Sequence, residues 1–514
     1  MGTGFTRRRF LRTLLAGAFL TLANGCGPMR RAEQLSSVRV PKATPLRTPK
    51  VWPLPGVPPA QPKGVWAFRS RPDLAPAAAE ITGETSGTTP GYVFLALKEG
   101  AGAHGPMIID DRGQLVWFEK YVTARDFKVQ RYRGRPVLTW WEGSIVAGHG
   151  VGKYVVFDDS YREIALVRAG NDYPGDLHEF LITPEDTALL TAYAAVPADL
   201  SSVGGAEDGA AWDGIAQEVD LETGEVLFEW HSLDHVAVEE SYVHPSAEPG
   251  FVYDYFHINS IEVDHDDNLL ISARNTSAVY KVDRGSGEIM WRLSGKKSDF
   301  EMGEGTRFAY QHDARRLPDG TISIFDNGAT VFRNGLPKVV EESRGIILDP
   351  DERKMKASLV HEYTHPDKMY ADAAGNVQVL PNGNVFVGWG RALAISEFSR
   401  EGKLLFDARL PPGNRTYRAF RSAWSTYSPD RPAVAAERLS EDKVEIYASW
   451  NGGTEVDSWA VLAGERPDQL ESLGAVPRDG FETAMVARTP EPYVAVQARD
   501  RFGRTRGTSI PVET

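Results

Sequence analysis

Two consecutive segments show the repeating unit of the fold: Ser260-Ile-Glu-Val-Asp-His-Asp-Asp-Asn-Leu-Leu-Ile271 and Val279-Tyr-Lys-Val-Asp-Arg-Gly-Ser-Gly-Glu-Ile-Met-Trp291. Each segment has two runs of β-favouring residues on either side of a turn that begins at an aspartate. This is the pattern of a β-hairpin. Two hairpins in succession predict one four-stranded antiparallel sheet.

The same pair of hairpins recurs along the chain. Hairpins like the second segment lie at residues 107–117, 154–161, 217–228, 279–291, 345–351 and 395–406. Hairpins like the first lie between them, at residues 127–139, 180–190, 260–271, 316–324 and 377–386. This repeat predicts a six-bladed β-propeller over residues 64–426, and a pair of stacked sandwiches is the alternative. The hairpin at residues 92–118 is expected to close the ring with a strand from the far end of the propeller.

The rhythm of the sequence changes after about residue 427. Short segments at residues 443–450, 458–463, 481–487 and 493–499 alternate apolar and polar side chains. They predict a small immunoglobulin/fibronectin-like β-sandwich over residues 427–514. The whole fold is therefore expected to be all-β.

Composition excludes several functional classes. The chain has 514 residues and a net charge of −13, which argues against a nucleic-acid partner. Its single cysteine, Cys26, leaves no intramolecular disulfide and no cysteine zinc site. Asp264 and Asp266 resemble the start of a calcium loop, but Leu269 stands where that loop needs glycine, so a hairpin turn is the better interpretation. We predict no metal and no cofactor.

The first 63 residues are predicted to export and tether the protein. Arg7 and Arg8 precede an apolar run at residues 14–23, which is typical of a twin-arginine signal over residues 1–26. Cys26 ends this segment as in a lipobox, and ordinary cleavage that leaves a spare thiol is the alternative. Residues 27–63 are rich in Pro, Arg and Lys and predict a linker. We expect a bacterial cell-envelope or periplasmic protein that meets the membrane only through a lipid anchor at Cys26.

Three histidines open equivalent strands of the predicted propeller. His178, His257 and His312 each lie shortly before a hairpin turn, so we expect them near one rim of one channel. Arg274 ends the next strand of its blade and is expected to face the same funnel as His257. An arginine offers forked donors to sulfate, phosphate or carboxylate, and a neutral histidine can act as nucleophile or general acid/base. The pattern indicates a site for an anionic ligand, although any one histidine could be a packing residue.

Residues near these positions are predicted to contact the substrate. They are Asn259, Asn275, Asp326, Asn327, Trp141 and His149. Trp141 could stack on an aryl ring or pack between blades. His149 could contact the funnel or satisfy a tight turn.

Several motifs resemble those of the bacterial arylsulfotransferase family. They are Ser70-Arg-Pro-Asp-Leu74, the segment 105–117, Phe256-His-Ile-Asn-Ser-Ile261, Ser272-Ala-Arg-Asn275, Gly287-Glu-Ile-Met-Trp-Arg-Leu293, Gln311-His-Asp-Ala-Arg-Arg316 and Phe325-Asp-Asn-Gly328. The resemblance covers roughly residues 64–427. Well-studied members carry an extra N-terminal domain and a cysteine pair, so the present sequence is expected to belong to a shorter branch with a C-terminal sandwich.

The resemblance implies a propeller enzyme that uses aryl sulfates as donors and needs no phosphoadenosine phosphosulfate. It implies that His312 is the nucleophile and becomes sulfated in a ping-pong reaction. Arg274 and His257 would stabilise charge on the sulfuryl oxygens, and His178 or His257 would move the phenolic proton. The expected partners are small aryl sulfates and phenols.

Two other functions fit the same residues. One is a non-catalytic envelope lipoprotein whose propeller binds a glycan or a protein. The other is a hydrolase or lyase that acts on anionic substrates with the same histidines. A catalyst requires His257, Arg274 and His312 to converge within ~4–6 Å of a common anion position, whereas a receptor does not.

Overall fold

Sheets dominate the computed structural model, which describes residues 50–54, 64–83, 85–121, 123–246, 248, 250–328 and 342–514. Of these residues, 52% are in strands and 3% in helices, so the fold is all-β, as the sequence predicts. The predicted export signal over residues 1–26, Cys26 and most of the predicted linker lie outside the described residues. In the described part of the chain, no helix has the length and apolar character needed to cross a membrane.

The strands follow one another with short connections. The first are β1 (Val51–Pro53), β2 (Glu80–Ile81), β3 (Tyr92–Leu97), β4 (Gly105–Ile109), β5 (Leu115–Phe118), β6 (Ala124–Tyr132), β7 (Arg135–Val146), β8 (His149–Phe157) and β9 (Glu163–Val167). Next come β10 (Gly175–Ile182), β11 (Thr187–Ala198), β12 (Gly209–Asp220), β13 (Val226–His231), β14 (Ile258–Val263), β15 (Leu269–Ala273), β16 (Ala278–Val282) and β17 (Ile289–Ser294).

The second half of the chain continues in the same way. Its strands are β18 (Glu301–Met302), β19 (His312–Arg316), β20 (Ile322–Asp326), β21 (Arg344–Asp351), β22 (Lys356–Tyr363), β23 (Asn376–Val379), β24 (Val385–Gly388), β25 (Ala394–Phe398), β26 (Leu404–Arg409) and β27 (Ala419–Ser422). The last are β28 (Ala433–Ser440), β29 (Lys443–Ser449), β30 (Ser458–Arg466), β31 (Gln469–Pro477), β32 (Glu482–Arg488), β33 (Tyr493–Arg499), β34 (Thr505–Thr508) and β35 (Val512–Glu513). One short helix, α1 (Ser232–His235), and 3-10 turns at Ser201–Val203, Val238–Glu240 and Gly390–Ala392 complete the described elements.

Antiparallel units of about four strands make up the body of the described structure. Strands β14 to β17 form one sheet, β19 to β22 with β18 a second, and β23 to β26 with β2 a third. Strands β6 to β9 and β10 to β13 form two more units, which one backbone pairing between Gly152 and Gly175 joins into a single larger sheet. Strand β27 pairs with β3, so the predicted closure by the hairpin at residues 92–118 is confirmed.

The first strand of each unit lies on the inside. These inner strands are β6, β10, β14, β19, β23 and β27, and each contacts the next until β27 contacts β6 again. Apolar side chains between neighbouring units form the cores, such as the cluster around Phe256, Tyr280 and Ile261. The first residues of the inner strands therefore meet around one common axis.

Charged residues fill the inside of this cycle of strands. We call them the inner ion-pair cluster, and its members are Asp126, Lys128, Glu179, Glu262, Asp313, Arg315 and Arg418. The fully buried Arg418 has its Nη1 3.1 Å from Asp126 Oδ1 and 3.3 Å from Glu179 Oε2. Lys128 Nζ lies 2.8 Å from Asp126 and 2.9 Å from Glu179. Buried charges survive in proteins only when paired in this way.

Two further sheets form the C-terminal part of the fold. One has the order β1-β32-β29-β28, and the other has the order β31-β30-β33-β34 with β35 on β33. Both contribute to one apolar core that includes Trp450, Trp459 and Met485.

The prediction of a linker over residues 27–63 is wrong in part, because residues 51–53 form strand β1. Val51 pairs with Ala487, and its side chain is buried in the core of the C-terminal sheets. Leu54 N–H also donates to the Ala484 carbonyl at 3.1 Å. A three-residue strand beside prolines carries too weak a pattern to be recognised, and its pairing partner lies more than four hundred residues away in the sequence.

Candidate active site

A cavity of about 650 Å³ opens where the inner strands begin. The structure brings the four predicted catalytic residues, His178, His257, Arg274 and His312, into its lining. Tyr417 forms its floor, with ring centroids 5.6 Å from His178 and 6.3 Å from His312. The Arg418 guanidinium of the inner ion-pair cluster lies 5.0 Å from the centroid of the Tyr417 ring, so this ring contacts both the cavity histidines and the cluster.

Irregular backbone at the start of the inner strands turns the histidines toward the cavity. The pairing of β10 shifts between Gly175 and Phe180, and that of β19 shifts between His312 and Arg315. A β-bulge of this kind redirects a side chain out of the normal alternation. His257 lies at a φ of 58°, in the left-handed region that β-structure avoids. Such strain persists where surrounding contacts hold it, and it clusters at functional sites.

His178 is held by a buried carboxylate. Its Nδ1 donates to Asp176 Oδ2 at 2.6 Å, and that carboxylate also accepts from the Gly150 and His178 N–H groups and from the Thr191 hydroxyl. Burial alone would raise the pKa of Asp176, but the His178 ring and these hydrogen bonds lower it to about 2. Asp176 is therefore ionised at neutral pH and fixes the tautomer of His178, which leaves Nε2 available.

His257 is held in a similar way by Asp254. Its Nδ1 donates to Asp254 Oδ2 at 2.5 Å, and His149 Nε2 approaches the same oxygen at 3.4 Å. Burial lowers the pKa of His257 to about 4 even though Asp254 opposes this shift. At neutral pH His257 is a neutral imidazole whose Nε2 can accept a proton.

His312 differs because its partner is an amide. Asn327 Nδ2 donates to the carbonyls of Ala371 and Ala374, which fixes the amide so that its Oδ1 accepts from His312 Nδ1 at 2.7 Å. The Ala374 N–H donates weakly to His312 Nε2 at 3.3 Å. Burial and the Arg274 charge hold the pKa of His312 well below its ordinary value. The ring is therefore neutral with its lone pair on Nε2, which is the nucleophilic form.

Arg274 supplies positive charge without a carboxylate partner. Its Nη1 donates to Asn275 Oδ1 at 2.7 Å, its Nη2 donates to the Asp372 carbonyl at 3.3 Å, and its guanidinium stacks on Tyr310. Burial lowers the pKa of this guanidinium. Among the residues that the structure describes, its acceptors are neutral oxygens, so its charge stays available to an anion in the cavity.

The six residues predicted to contact substrate do not line the cavity. They are Asn259, Asn275, Asp326, Asn327, Trp141 and His149. Asn275 and Asn327 instead orient Arg274 and His312, and Asn259 Nδ2 donates to the Gln311 carbonyl at 2.6 Å. In this structure these three side chains bind neighbouring protein groups, and their contact with substrate stays a prediction.

The other three are also committed to the protein interior. Asp326 accepts from Arg344 and from the Ala309 N–H, both at 3.0 Å. The Trp141 ring lies over glycines such as Gly152, and its Nε1 donates to the Gly175 carbonyl at 2.9 Å. His149 is 3% exposed and packs against Tyr193 and Trp212.

His149, Asp254 and His257 offer three potential metal ligands within 4.8 Å of one another. Two imidazoles and a carboxylate are a donor set that suits zinc. In this structure Asp254 Oδ2 accepts from His257, whereas both ring nitrogens of His149 and Asp254 Oδ1 are buried without a hydrogen-bond partner among the described residues. The expectation of a metal-free site stays a prediction.

Sequence reasoning missed the residues that orient the histidines and those that carry charge at the cavity mouth. Asp176 stands two residues before His178, and Asp254 stands three residues before His257, so this local spacing was a usable signal. Lys98 and Arg391 line the cavity from loops after β3 and β24. Nothing in their local sequence distinguishes them from surface cations.

The solved structures that resemble this one are remote. A protein of unknown function from Bacteroides caccae is 14% identical over 65% of this chain and 100% of its own, with a TM-score of 0.38. Kuenenia stuttgartiensis hydrazine synthase is 13% identical over 72% and 96%, with a TM-score of 0.35, and a streptogramin B lyase is 10% identical over 77% and 98%, with a TM-score of 0.30. No curated protein matches the sequence.

The sequence profile of one protein family does match. It is described as Arylsulfotransferase (ASST), and it covers residues 128–410, which include His178, His257, Arg274 and His312. This match spans more than half of the 514 residues and agrees with the resemblance found in the motifs. The chain belongs to the arylsulfotransferase (ASST) family.

Proposed function

We propose that this protein moves a sulfuryl group from an aryl sulfate to a phenol through a covalent sulfohistidine at His312, without phosphoadenosine phosphosulfate. One observation carries the proposal. His312 is a neutral imidazole, fixed through Nδ1 by Asn327, in a cavity that it shares with the half-buried guanidinium of Arg274. A neutral nucleophile beside an unpaired cation suits attack on an anionic sulfate ester.

In the first step, the sulfate oxygens of the donor bind Arg274, and His312 Nε2 attacks the sulfur. The N–S bond forms as the S–O bond to the aryl group breaks, and the electron pair leaves on the phenolate oxygen. The weak contact from the Ala374 N–H gives way as Nε2 bonds to sulfur. After sulfation, the His312 ring keeps its proton on Nδ1, which still donates to Asn327 Oδ1. The ring therefore carries a positive charge beside a neutral amide. The absence of a carboxylate at this position keeps the N–S bond easy to break.

In the second step, an acceptor phenol enters the same cavity. Its proton passes to Nε2 of His257 or His178, each of which is oriented through Nδ1 by a carboxylate. The phenol oxygen attacks the sulfur, and the electron pair of the N–S bond returns to His312 Nε2. The proton then passes to water, which balances the charge of the phenolate released in the first step, and the enzyme is restored.

The scaffold belongs to the same proposal. We propose that the units whose inner strands are β6, β10, β14, β19, β23 and β27 are six blades of one propeller, with the catalytic residues at one end of its axis. The two C-terminal sheets would form the fibronectin-like sandwich. Twin-arginine export and a lipid anchor at Cys26 complete the proposed envelope location, which cell fractionation of a Cys26→Ala variant tests.

The deciding experiment is incubation with 4-nitrophenyl sulfate, with and without phenol, in the absence of any nucleotide. We expect nitrophenol release, a sulfuryl adduct that peptide mapping places on His312, and loss of this adduct when phenol is added. His312→Ala should abolish all three effects, whereas His265→Ala, which changes an exposed turn residue, should not. Release that ignores phenol and yields inorganic sulfate would indicate a hydrolase instead. A folded protein with neither release nor adduct would favour a binding function.

A further inference from the structure

The cavity holds two further cations besides Arg274. Lys98 follows strand β3, and Arg391 lies in the turn Gly390–Ala392 after β24, and both line the cavity. Lys98 and Arg274 belong to units whose inner strands, β27 and β14, are three places apart in the cycle of six. Lys98 and Arg274 therefore stand on opposite sides of the axis, whereas Arg391 lies beside Arg274, because both arginines donate to Asp372.

Lys98 has little negative charge to balance it. Its side chain is 18% exposed, and the one carboxylate oxygen within reach among the described residues is Glu99 Oε1 at 3.9 Å. Burial, together with the charges of Arg125, Arg391 and Arg415, lowers the pKa of Lys98 to about 8. A buried ammonium with so few partners is costly unless an anion joins it.

Arg125 adds a further buried positive charge near Lys98. It is 5% exposed, its Nη1 donates to the Ala124 carbonyl at 2.7 Å, and its Nε has no hydrogen-bond partner in the described structure. Burial lowers its pKa to about 10. Of the neighbouring cations, Arg391 pairs with Asp372 at 3.0 Å and Arg415 with Glu99 at 3.4 Å. Within the described part of the chain, these four cations thus share two carboxylates, Glu99 and Asp372, in a protein whose net charge is −13.

The size of the cavity leaves room for a substrate that reaches both sides. Its volume of about 650 Å³ is in the range of sites for drug-sized ligands and exceeds what a single phenyl sulfate needs. We propose that Lys98 and Arg391 form a second anion subsite, which binds a carboxylate or sulfonate group carried by the aryl substrate. The favoured substrates are then aryl sulfates and phenols with a second anionic substituent. This inference rests on the proposed function for its meaning in catalysis.

Binding of unreactive ligands tests the subsite without any turnover. Calorimetry compares benzenesulfonate, which has one anionic group, with 4-sulfobenzoate, which has two. We expect the wild-type protein to bind 4-sulfobenzoate about tenfold or more tightly than benzenesulfonate, as for a hydrogen bond between charged groups. Lys98→Met should remove most of this advantage and leave benzenesulfonate binding nearly unchanged. Arg391→Met should reduce it in the same direction, and Lys403→Met, at an exposed turn, should not change it.

The pH dependence sharpens the assignment. Because both ligands keep their charges between pH 7 and 10, only the protein titrates in this range. The advantage of 4-sulfobenzoate should therefore be greatest below pH 8 and decline as Lys98 loses its proton. The charged groups that act on the pKa of Lys98 are Arg125, Arg391 and Arg415, which lower it, and Glu99, which raises it.

Three results would each contradict the proposed subsite. They are equal affinities for the two ligands, no binding of either ligand, and an advantage of 4-sulfobenzoate that survives Lys98→Met. A clear advantage in a protein that forms no adduct at His312 would instead support the subsite and contradict the proposed transfer reaction. The two proposals can therefore fail separately.

Discussion

Two groups of charged residues share the inside of the cycle of strands, and consecutive residues of the same strands supply them. His178 lines the cavity and Glu179 joins the inner ion-pair cluster; His312 and Asp313 divide in the same way. The Tyr417 ring contacts both groups. The two groups nevertheless differ in how fully their charges are paired.

In the inner ion-pair cluster every charge meets its opposite. Arg315 alone contacts Glu262 at 3.0 Å, Asp313 at 2.7 Å and Glu179 more closely still. Among the described residues, Arg274 in the cavity donates to neutral acceptors, and Lys98 reaches one carboxylate oxygen, at 3.9 Å. A group of charges that is complete stabilises the fold, whereas an incomplete one is kept because a ligand completes it.

The largest expected effect is on stability, in the inner ion-pair cluster. Arg418→Met leaves Asp126 and Glu179 without their central cation, and breaking a buried pair costs about 3–5 kcal/mol. Urea unfolding followed by tryptophan fluorescence should show this loss. The control Arg466→Met removes an exposed pair with Asp468 and should change the free energy of unfolding by less than about 0.5 kcal/mol. Equal losses in the two variants would contradict the distinction.

Arg274→Met makes the matching change in the cavity, and its effect should be on the rate. Loss of a charged donor to the sulfuryl oxygens should lower kcat/KM with 4-nitrophenyl sulfate by about 10²–10³-fold. The free energy of unfolding should stay constant or rise, because the removed charge has no ion pair in the described structure. Unfolding by urea and steady-state kinetics on the same sample separate the two outcomes. Instability comparable to that of Arg418→Met would mean that Arg274 is structural.

Asn327→Asp converts the partner of His312 from a neutral amide to a carboxylate. An anion at Nδ1 should raise the pKa of His312, which burial and Arg274 now hold well below its ordinary value. The wild-type rate should therefore show no loss from His312 protonation near neutral pH, whereas the variant should lose activity as pH falls through the raised pKa, by about tenfold per unit below it. A pH–rate profile measures this shift. A rate that falls by the same factor at every pH would indicate lost geometry and not a changed pKa.

The sequence predicts the repeat well because turns and alternation are local. The hairpins around Asp264 and Asp283 are present as β14–β15 and β16–β17. The three histidines and Arg274 could be found together because equivalent positions in a repeat meet at its axis.

The orienting residues could not be assigned in the same way. The sequence positions of Asn327, Asp326 and Asn259 are compatible with contact to substrate and equally with hydrogen bonds to neighbouring protein groups. The direction of each side chain depends on the bulged backbone, which the sequence pattern does not reveal. Lys98 becomes part of the site only through the pairing of β27 with β3, which joins segments that are far apart in the sequence. The missed strand β1 depends on a partner that is farther away still.

The smallest expected effect concerns the dependence of stability on acid. The pKa of Asp176 is about 2 in the folded protein and ordinarily near 3.8, so its stabilising contribution is complete above pH 4 and disappears as pH falls toward 2. For one carboxylate this amounts to about 2 kcal/mol. Asp176→Asn removes that titration, so the slope of unfolding free energy against pH should be shallower in the variant between pH 4 and 2. Carboxylates of the inner ion-pair cluster, such as Glu179, also have lowered pKa values and keep part of the slope in both proteins. An unchanged slope would mean that Asp176 is not the ionised partner of His178, and the role of His178 in proton transfer would lose its support.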